Sequence, residues 1–503
     1  MNLPQEILDL VVDALVPFHR DESATRALQS CLLVSRSVYL RARFHVFSKV
    51  SIIDNKSDNE TKPTRRKLST LRQLLEYKHL LTGRGDRFAP LATCITSFTL
   101  QLRNKQDTIY NILDDGDFAS IMNHLHGPTH GIRRFAVDLW HQITFLRFSD
   151  EFVDAFRRLC HSHRLKALEL SFLNHVPSDV VCPPQLETLQ VKSLSALVRP
   201  PSDLFWRDTL MGAATDIELG GLMETNSGDS PVDQVPKLKK VEKLPALKSY
   251  DTDFSFHFPA EWVANTNPNH ESLPLSPFIQ LSRLSIVVDF TNRLDVNDFG
   301  AILGVTTSTL EDLDIRIKFC PGRNINQDFI PLPFSQLQRL STLKFHLHSH
   351  IYPHGWCPID LPSIASVLQS FSPPPSSLRR IDVILDLYAT GHSGFPRMFE
   401  PHRHQWESLD DALSATKLST VKRIKLVVRP HIALRFSNEG SDSDNAPDQM
   451  ENDARVSKRN TPVELRPKID GEYRELIHPL IRKVRQDNRF SLVVKSTVLR
   501  IAS

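Results

Sequence analysis

Along most of the chain, apolar residues return at positions i, i+3, i+5 and i+7. The pattern runs Ile95, Phe98, Leu100, Leu102, then Ile132, Phe135, Val137, Leu139, then Leu165, Leu168, Leu170, Phe172. It shortens to Leu186, Leu189, Val191 and passes through Leu247, Tyr250, Thr252, Phe254. It then becomes regular at Leu281, Leu284, Ile286, Val288, at Leu310, Leu313, Ile315, Ile317, and at Leu340, Leu343, Phe345, Leu347. Leu378, Ile381, Val383, Leu385 and Val421, Ile424, Leu426, Val428 complete the series. Alternation over the last three positions of each set predicts a strand with one buried face, because successive side chains of a strand point to opposite sides. Segments of helical periodicity separate many of these strands, at 117–126, 150–161, 295–303 and 361–371. Strand and helix alternating at intervals of about 30 to 40 residues predict an α/β solenoid with parallel strands whose repeats bury a continuous core by stacking. A doubly wound sheet is the alternative, but its strands would read as continuous apolar runs. Here charges interrupt them, as in LEDLDIRIKF at 310–319.

The array spans 68–436 on this reading, with an insertion at about 198–236. Residues 437–462 are polar, acid-rich in their first part, and too poor in apolar surface to fold. A helix around 471–485 and a strand at 490–496 predict a terminal cap over 463–503.

The N-terminus has a different period. Leu3, Ile7, Leu10, Val11, Ala14 and Leu15 recur at helical spacing, with Gln5, Glu6, Asp9 and Asp13 on the other face. Pro4 suits the first turn of a helix, and Pro17 ends it. A second helical pattern runs through Ala27, Leu28, Cys31, Leu32 and Val34 toward Val38 and Tyr39, and a polar linker at 51–67 follows the module. Three short helices in about 50 residues cannot bury all their apolar faces against one another, so part of that surface must meet a partner.

Leu3-Pro4, Glu6-Ile7-Leu8, the apolar run to Leu15, Leu28, Cys31-Leu32-Leu33-Val34-Ser35-Arg36 and Arg43-Phe44-His45-Val46-Phe47 together resemble an F-box, in the form common in fungal proteins. The resemblance covers 1–50. It implies docking on a Skp-type adaptor of a cullin-RING (SCF-type) ubiquitin ligase through Leu3, Pro4, Ile7, Leu8, Val11, Leu15, Leu28, Leu32, Val34 and Val38. Val38 stands where many members of the family carry tryptophan. The LxxLxL strands resemble an irregular leucine-rich repeat that lacks the asparagine closing the usual consensus. The two resemblances together imply a non-catalytic substrate receptor that binds a target protein through its array. A non-degradative interaction scaffold is the alternative, and a nucleic-acid binder is disfavoured.

Composition narrows the classes. Lys plus Arg number 61 against 58 Asp plus Glu in 503 residues, so no global field draws the chain to phosphate or to anionic membranes. The six cysteines form no CxxC pair, and no stretch is long and apolar enough to span a bilayer, which together suggest a cytoplasmic or nuclear protein. No nucleophile, acid–base or nucleotide-binding motif emerges, and no cofactor is expected. His124, His126 and His130 in HLHGPTH read as a solvent-facing turn. His346, His348 and His350 share the face of one strand opposite Leu343, Phe345 and Leu347, with row spacing too long for one zinc ion. Reading across the strands, the outward positions include Asp138 and Trp140, Glu169, Ser285 and Asp289, Asp314, Arg316 and Lys318, His346 and His348, Asp382 and Asp386, and Lys425 and Arg429. This strip is the expected target-binding face, with Trp140, Arg316, Lys318, His346 and His348 as its reading residues.

Overall fold

The structure, a computed structural model, describes residues 4–15, 22–54, 62–76, 91–127, 130–181, 183–192, 195–197, 246–252, 276–290, 293–317, 332–352, 355–356, 361–371, 374–390, 403–415, 418–436 and 462–502. The insertion at 198–236, residues 437–461 and Phe254 lie outside them. The chain is α/β, with mostly parallel strands, and divides within one strand into two compact units, Met1–Leu189 with Ser193–Pro245, and Gln190–Lys192 with Ala246–Ser503.

The first unit opens with helices α1 (Gln5–Leu15), α2 (Glu22–Cys31) and α3 (Arg36–Phe47). Val12, Leu28, Val38 and Ala42 form their common core, with Leu8, Leu15, Cys31, Leu32 and Val46 packed around it. The second helical pattern is broken at 32–35 because the hydroxyl of Ser35 accepts a hydrogen bond from the Val38 N–H (3.4 Å) and caps a new helix. The inward stripe of α1 is Leu8, Val12 and Leu15, not the expected Ile7, Leu10, Val11 and Ala14, which are exposed.

β1 (Lys49–Ile53) and α4 (Lys62–Glu76) follow, so the expected polar linker contains a strand residue run at its start and the first helical turn at its end. β2 (Ser97–Leu102), α5 (Gln106–Leu113), α6 (Gly116–Leu125), β3 (Arg134–Thr144), α7 (Asp150–Cys160), β4 (Ala167–Pro177), α8 (Ser178–Val181), β5 (Thr188–Lys192) and β6 (Ser195–Leu197) complete this part of the chain. β1, β2, β3 and β4 pair in sequence order and in parallel, with Ser97 between Lys49 and Arg134, and Arg134 beside Ala167. Phe98, Leu100 and Leu102 are fully buried, and Phe98 lies 6.0 Å from Phe135 and 6.2 Å from Phe118 between ring centroids. The aromatic chain continues through Phe152 and Phe156 under α7, a large apolar area held on one side of the sheet.

One expected core position fails. Phe172 is not buried: its φ is +59°, Leu173 takes the buried place, and Ser171 is buried as well. Opposite it the pairing jumps from Asp138–Ser171 to Ile143–Leu173, a bulge that looses 139–142 from the ladder.

The second unit carries β7 (Ser249–Thr252), β8 (Arg283–Val288), α9 (Arg293–Val305), β9 (Asp312–Ile317), β10 (Thr342–Tyr352), β11 (Gly355–Trp356), α10 (Leu361–Gln369), β12 (Arg380–Thr390), α11 (Arg403–Ser414), β13 (Arg423–Phe436), α12 (Pro462–Ile477), α13 (Arg482–Arg485), β14 (Phe490–Val494) and β15 (Thr497–Ala502). Strands β7, β8, β9, β10, β12, β13 and β14 are neighbours in that order, with β11 antiparallel on β10 and β15 beside β13. Every described apolar position of the repeating pattern in this unit is buried, and Phe299, Phe334 and Phe371 join edge to face beneath the helices. The terminal helix expected at 471–485 instead begins at Pro462 and stops at Ile477, giving a 3₁₀ turn before α13. Asp410 of α11, itself buried, accepts hydrogen bonds from the N–H groups of Lys483 and Val484 at 2.8 Å each and so fixes the start of α13.

Candidate functional site

Two surfaces collect the residues singled out by the sequence. On the N-terminal helices the expected docking set separates into two groups. Leu28 and Val38 are 4% and 5% exposed, and Leu8, Leu15 and Leu32 pack against them, so these five hold the helices together. Val38 fills the three-helix core, where it offers no area to a partner. Ile7, Val11 and Val34 are 44%, 56% and 68% exposed, Pro4 is exposed too, and Leu3 lies outside the described residues. Four residues outside the expected set are also bared: Leu10 at 63%, Leu33 at 89%, Leu40 at 43% and Phe44 at 42%. Ile7, Leu10, Val11 and Ala14 stand at i, i+3, i+4 and i+7, so α1 carries a second apolar stripe turned away from its own core. Asp13 holds α1 to α3 by accepting from Arg41 Nε (2.7 Å) and Nη2 (2.5 Å), and it contacts His45 Nε2 at 2.7 Å. The Arg41 hydrogen bonds bring the Asp13 carboxyl down to about 2, with His45 adding to the effect.

In the second unit, strand register sets the outward side chains in rows. One row runs Asp251, Ser285, Asp314, Lys344, Asp382 and Lys425 across β7 to β13; the next contains Arg316 and His346, followed by the apolar Ile384 and Val427. A third places His348, Asp386 and Arg429 side by side. The rows are internally bonded. Arg316 Nη2 donates to Asp251 Oδ1 and Ser285 Oγ, both at 2.6 Å, and Arg380 donates to both oxygens of Asp382 at 2.6 and 2.9 Å. His346 Nε2 lies 3.4 Å from Asp314 Oδ1. Asp386 is encircled by His431 Nε2 (3.3 Å), His348 Nδ1 (3.5 Å) and Arg429 Nη1 (3.8 Å), and the Tyr388 ring stacks on His431 at 4.4 Å. Burial lowers the His346 pKa and raises that of Tyr388, with Asp386 adding to the tyrosine's shift.

Two corrections follow for the expected strip. Asp289, Asp382 and Asp386 are 7%, 4% and 5% exposed, so they are not open contacts. Arg316 is spent on an internal ion pair, whereas His348, with 45% of its side chain exposed, is open. Lys318 lies outside the described residues, as does the side chain of His350. Trp140 belongs to the first unit, 47% exposed, within the bulge of β3, with the Arg103 guanidinium 5.6 Å from its ring centre.

The histidines of HLHGPTH are partly sequestered: His126 forms an isolated bridge with Gly131, and burial lowers its pKa. Among the described residues no group of three or more His, Cys, Asp or Glu side chains is placed to hold a metal ion. Nor is any described helix long and apolar enough to cross a membrane. No family model, curated protein or solved structure matches this chain. The residues that sequence reasoning missed are Leu10, Leu33, Leu40 and Phe44 on the N-terminal module, and Asp251, Tyr388 and His431 on the sheet. The phase of α1 relative to Val12 signals Leu10, and strand register signals those on the sheet.

Proposed function

We propose that the chain is a substrate-recognition subunit of a cullin-RING ubiquitin ligase. An F-box-like module at its N-terminus docks on a Skp-type adaptor, and a leucine-rich-repeat-like solenoid of parallel strands holds the target. The observation that carries this reading is the doubled apolar character of α1: Leu8, Val12 and Leu15 satisfy the core, while Ile7, Leu10 and Val11 remain bare beside water. A solitary three-helix module in water gains nothing from such a stripe, whereas an adaptor that covers it gains about 1–2 kcal/mol for each large side chain it desolvates. The repeat-like order of strands, each beside its sequence neighbour, supports a receptor array with outward rows free to differ from strand to strand. The receptor accelerates transfer by holding target and ligase together, a proximity effect needing no reactive group of its own.

The test is capture of a purified Skp-type adaptor by the full chain and by the Leu10→Asp/Leu33→Asp variant. Both side chains face solvent, so the variant keeps its melting temperature, and it loses adaptor capture because a charge then lies unpaired in the interface. A wild-type chain that fails to bind the adaptor, or a variant that binds as well, overturns the reading. Adaptor binding without turnover of captured proteins would favour the scaffold.

A further inference from the structure

We infer that the free edge of β1 and the groove beneath α4 form a second docking site, one for an extended acidic segment of a partner protein. Among the described strands β1 pairs on one side only, with β2. The hydrogen-bond ladder fixes which of its residues face outward. Ser97 N–H donates to Ser48 C=O, and Asp54 N–H donates to Gln101 C=O, so the even-numbered residues of 48–54 turn their backbone groups toward β2. In a parallel pair the N–H and C=O of one residue address the same neighbour, so those of Lys49, Ser51 and Ile53 address the open edge. An independent contact agrees: the ammonium of Lys67 reaches in from α4 and donates to the Ile53 carbonyl at 3.2 Å. Such an edge is a template for another strand.

Beside this edge lies an open groove of about 680 Å³ lined by Val50, Ile52, Pro63, Leu71 and Leu74 on its apolar side and by Arg66 and Lys67 on its polar side. Leu74 is 48% exposed and Ile53 42%, so both wait for a cover. The charge selects that cover. Among the described residues that line the groove there is no carboxylate. Two further cations of α4 are engaged, Arg65 with Asp115 and Arg72 with Asp117, whereas Arg66 and Lys49 have no ion pair among the described residues. A second copy of this edge would bring Lys49, Arg66 and Lys67 against their own images, which like-charge repulsion opposes. A strand with alternating acidic and apolar side chains meets all three demands: its backbone completes the ladder, the carboxylates on its α4 side enter the groove and reach Arg66 and Lys67, and the apolar side chains on its other face cover Ile53. This site is distinct from both surfaces used in the proposed ligase role.

The probe is a fluorescein-labelled octapeptide of alternating Glu and Val, titrated into the full chain and followed by fluorescence anisotropy. Three comparisons accompany it: an alternating Lys and Val peptide, the Glu and Val peptide N-methylated at every second residue, and the protein variants Arg66→Glu and Ser51→Pro. Proline at 51 removes only an outward N–H and leaves the β1–β2 ladder intact. Saturable binding of the Glu and Val peptide is expected, weakened at least about tenfold by Arg66→Glu, by Ser51→Pro and by N-methylation, with the Lys and Val peptide inert. Should Ser51→Pro fail to fold, the N-methylated peptide asks the same question from the ligand's side. Absence of saturable binding overturns the proposal and leaves Lys49 and Lys67 as guards against edge pairing. Equal binding of the N-methylated peptide overturns it too, reducing the contact to charge alone. Adaptor capture by the same variants stays unchanged, so failure here leaves the ligase reading untouched.

Discussion

Replacing Arg316 with alanine should destabilise the second unit by about 2 kcal/mol, although the outward position of this residue first suggests a pure recognition role. Its guanidinium bonds Asp251 of β7 and Ser285 of β8 from β9, so one side chain ties three strands. Both charged partners are about a quarter exposed, at 27% and 26%. A fully exposed pair contributes only about 0.2–1 kcal/mol, and breaking a fully buried one costs about 3–5 kcal/mol. Two charge-assisted hydrogen bonds at 2.6 Å in half-screened surroundings fall between these, hence the figure of about 2 kcal/mol. Arg316→Glu should cost more, about 3 kcal/mol, because it sets a carboxylate beside Asp251. In a unit of this size the alanine variant should lower the melting temperature by about 4–8 °C. Thermal unfolding of Arg316→Ala, Asp251→Ala and the double variant forms the assay, with amide exchange in β8 and β9 as the local readout. The two single changes should sum to at least about 1 kcal/mol more than the double costs. Additivity within about 0.5 kcal/mol would refute the reasoning and return Arg316 to the open surface.

Two other outcomes concern stability. His126, His346 and His478 all have pKa values lowered chiefly by burial, so the folded chain keeps them neutral where the unfolded chain accepts protons. Their contribution is complete above the ordinary histidine value near 6.5 and declines as pH falls through the depressed folded values; urea midpoints should therefore drop below pH 6.5, and His126→Gln should flatten that slope. Asp410→Ala leaves the Lys483 and Val484 N–H groups without their acceptor and should cost about 2–4 kcal/mol, read as loss of exchange protection at those two amides; unchanged protection would show that α13 needs no such anchor.

Much of the sheet was legible in the sequence because one-faced strands write their burial as alternation. Leu313, Ile315 and Ile317, like Leu343, Phe345 and Leu347, are buried as the spacing predicts, and Arg316, His346 and His348 lie on the other face. Phe172 was illegible because its left-handed backbone conformation reverses the phase in mid-strand, and nothing in the letters Ser-Phe-Leu announces the bulge across from it. β1 was missed because KVSII is too short for periodicity to speak, and its partner lies far along the chain. On the helices, composition showed that apolar surface would be left over but not which stripe. Val12 decides that, by choosing the side of α1 that meets Leu28 and Val38. The sealing of Asp382 and Asp386 was equally hidden, since the groups that cover them, Arg380, His348, Arg429 and His431, include side chains from adjacent strands.

The succession of strands also bears on how the chain can be made. Thr342 pairs with Asp312 before it and Arg380 after it, and Arg380 pairs in turn with Arg423. Each strand of this run therefore finds its earlier partner already synthesised when it leaves the ribosome, and no strand there must wait for the far terminus. Parallel pairing is usually slow because its loops are long and their closure is costly before contacts reward it. Here that cost is divided among successive loops, one at a time, so that along this run the newest strand supplies the unpaired edge at each stage.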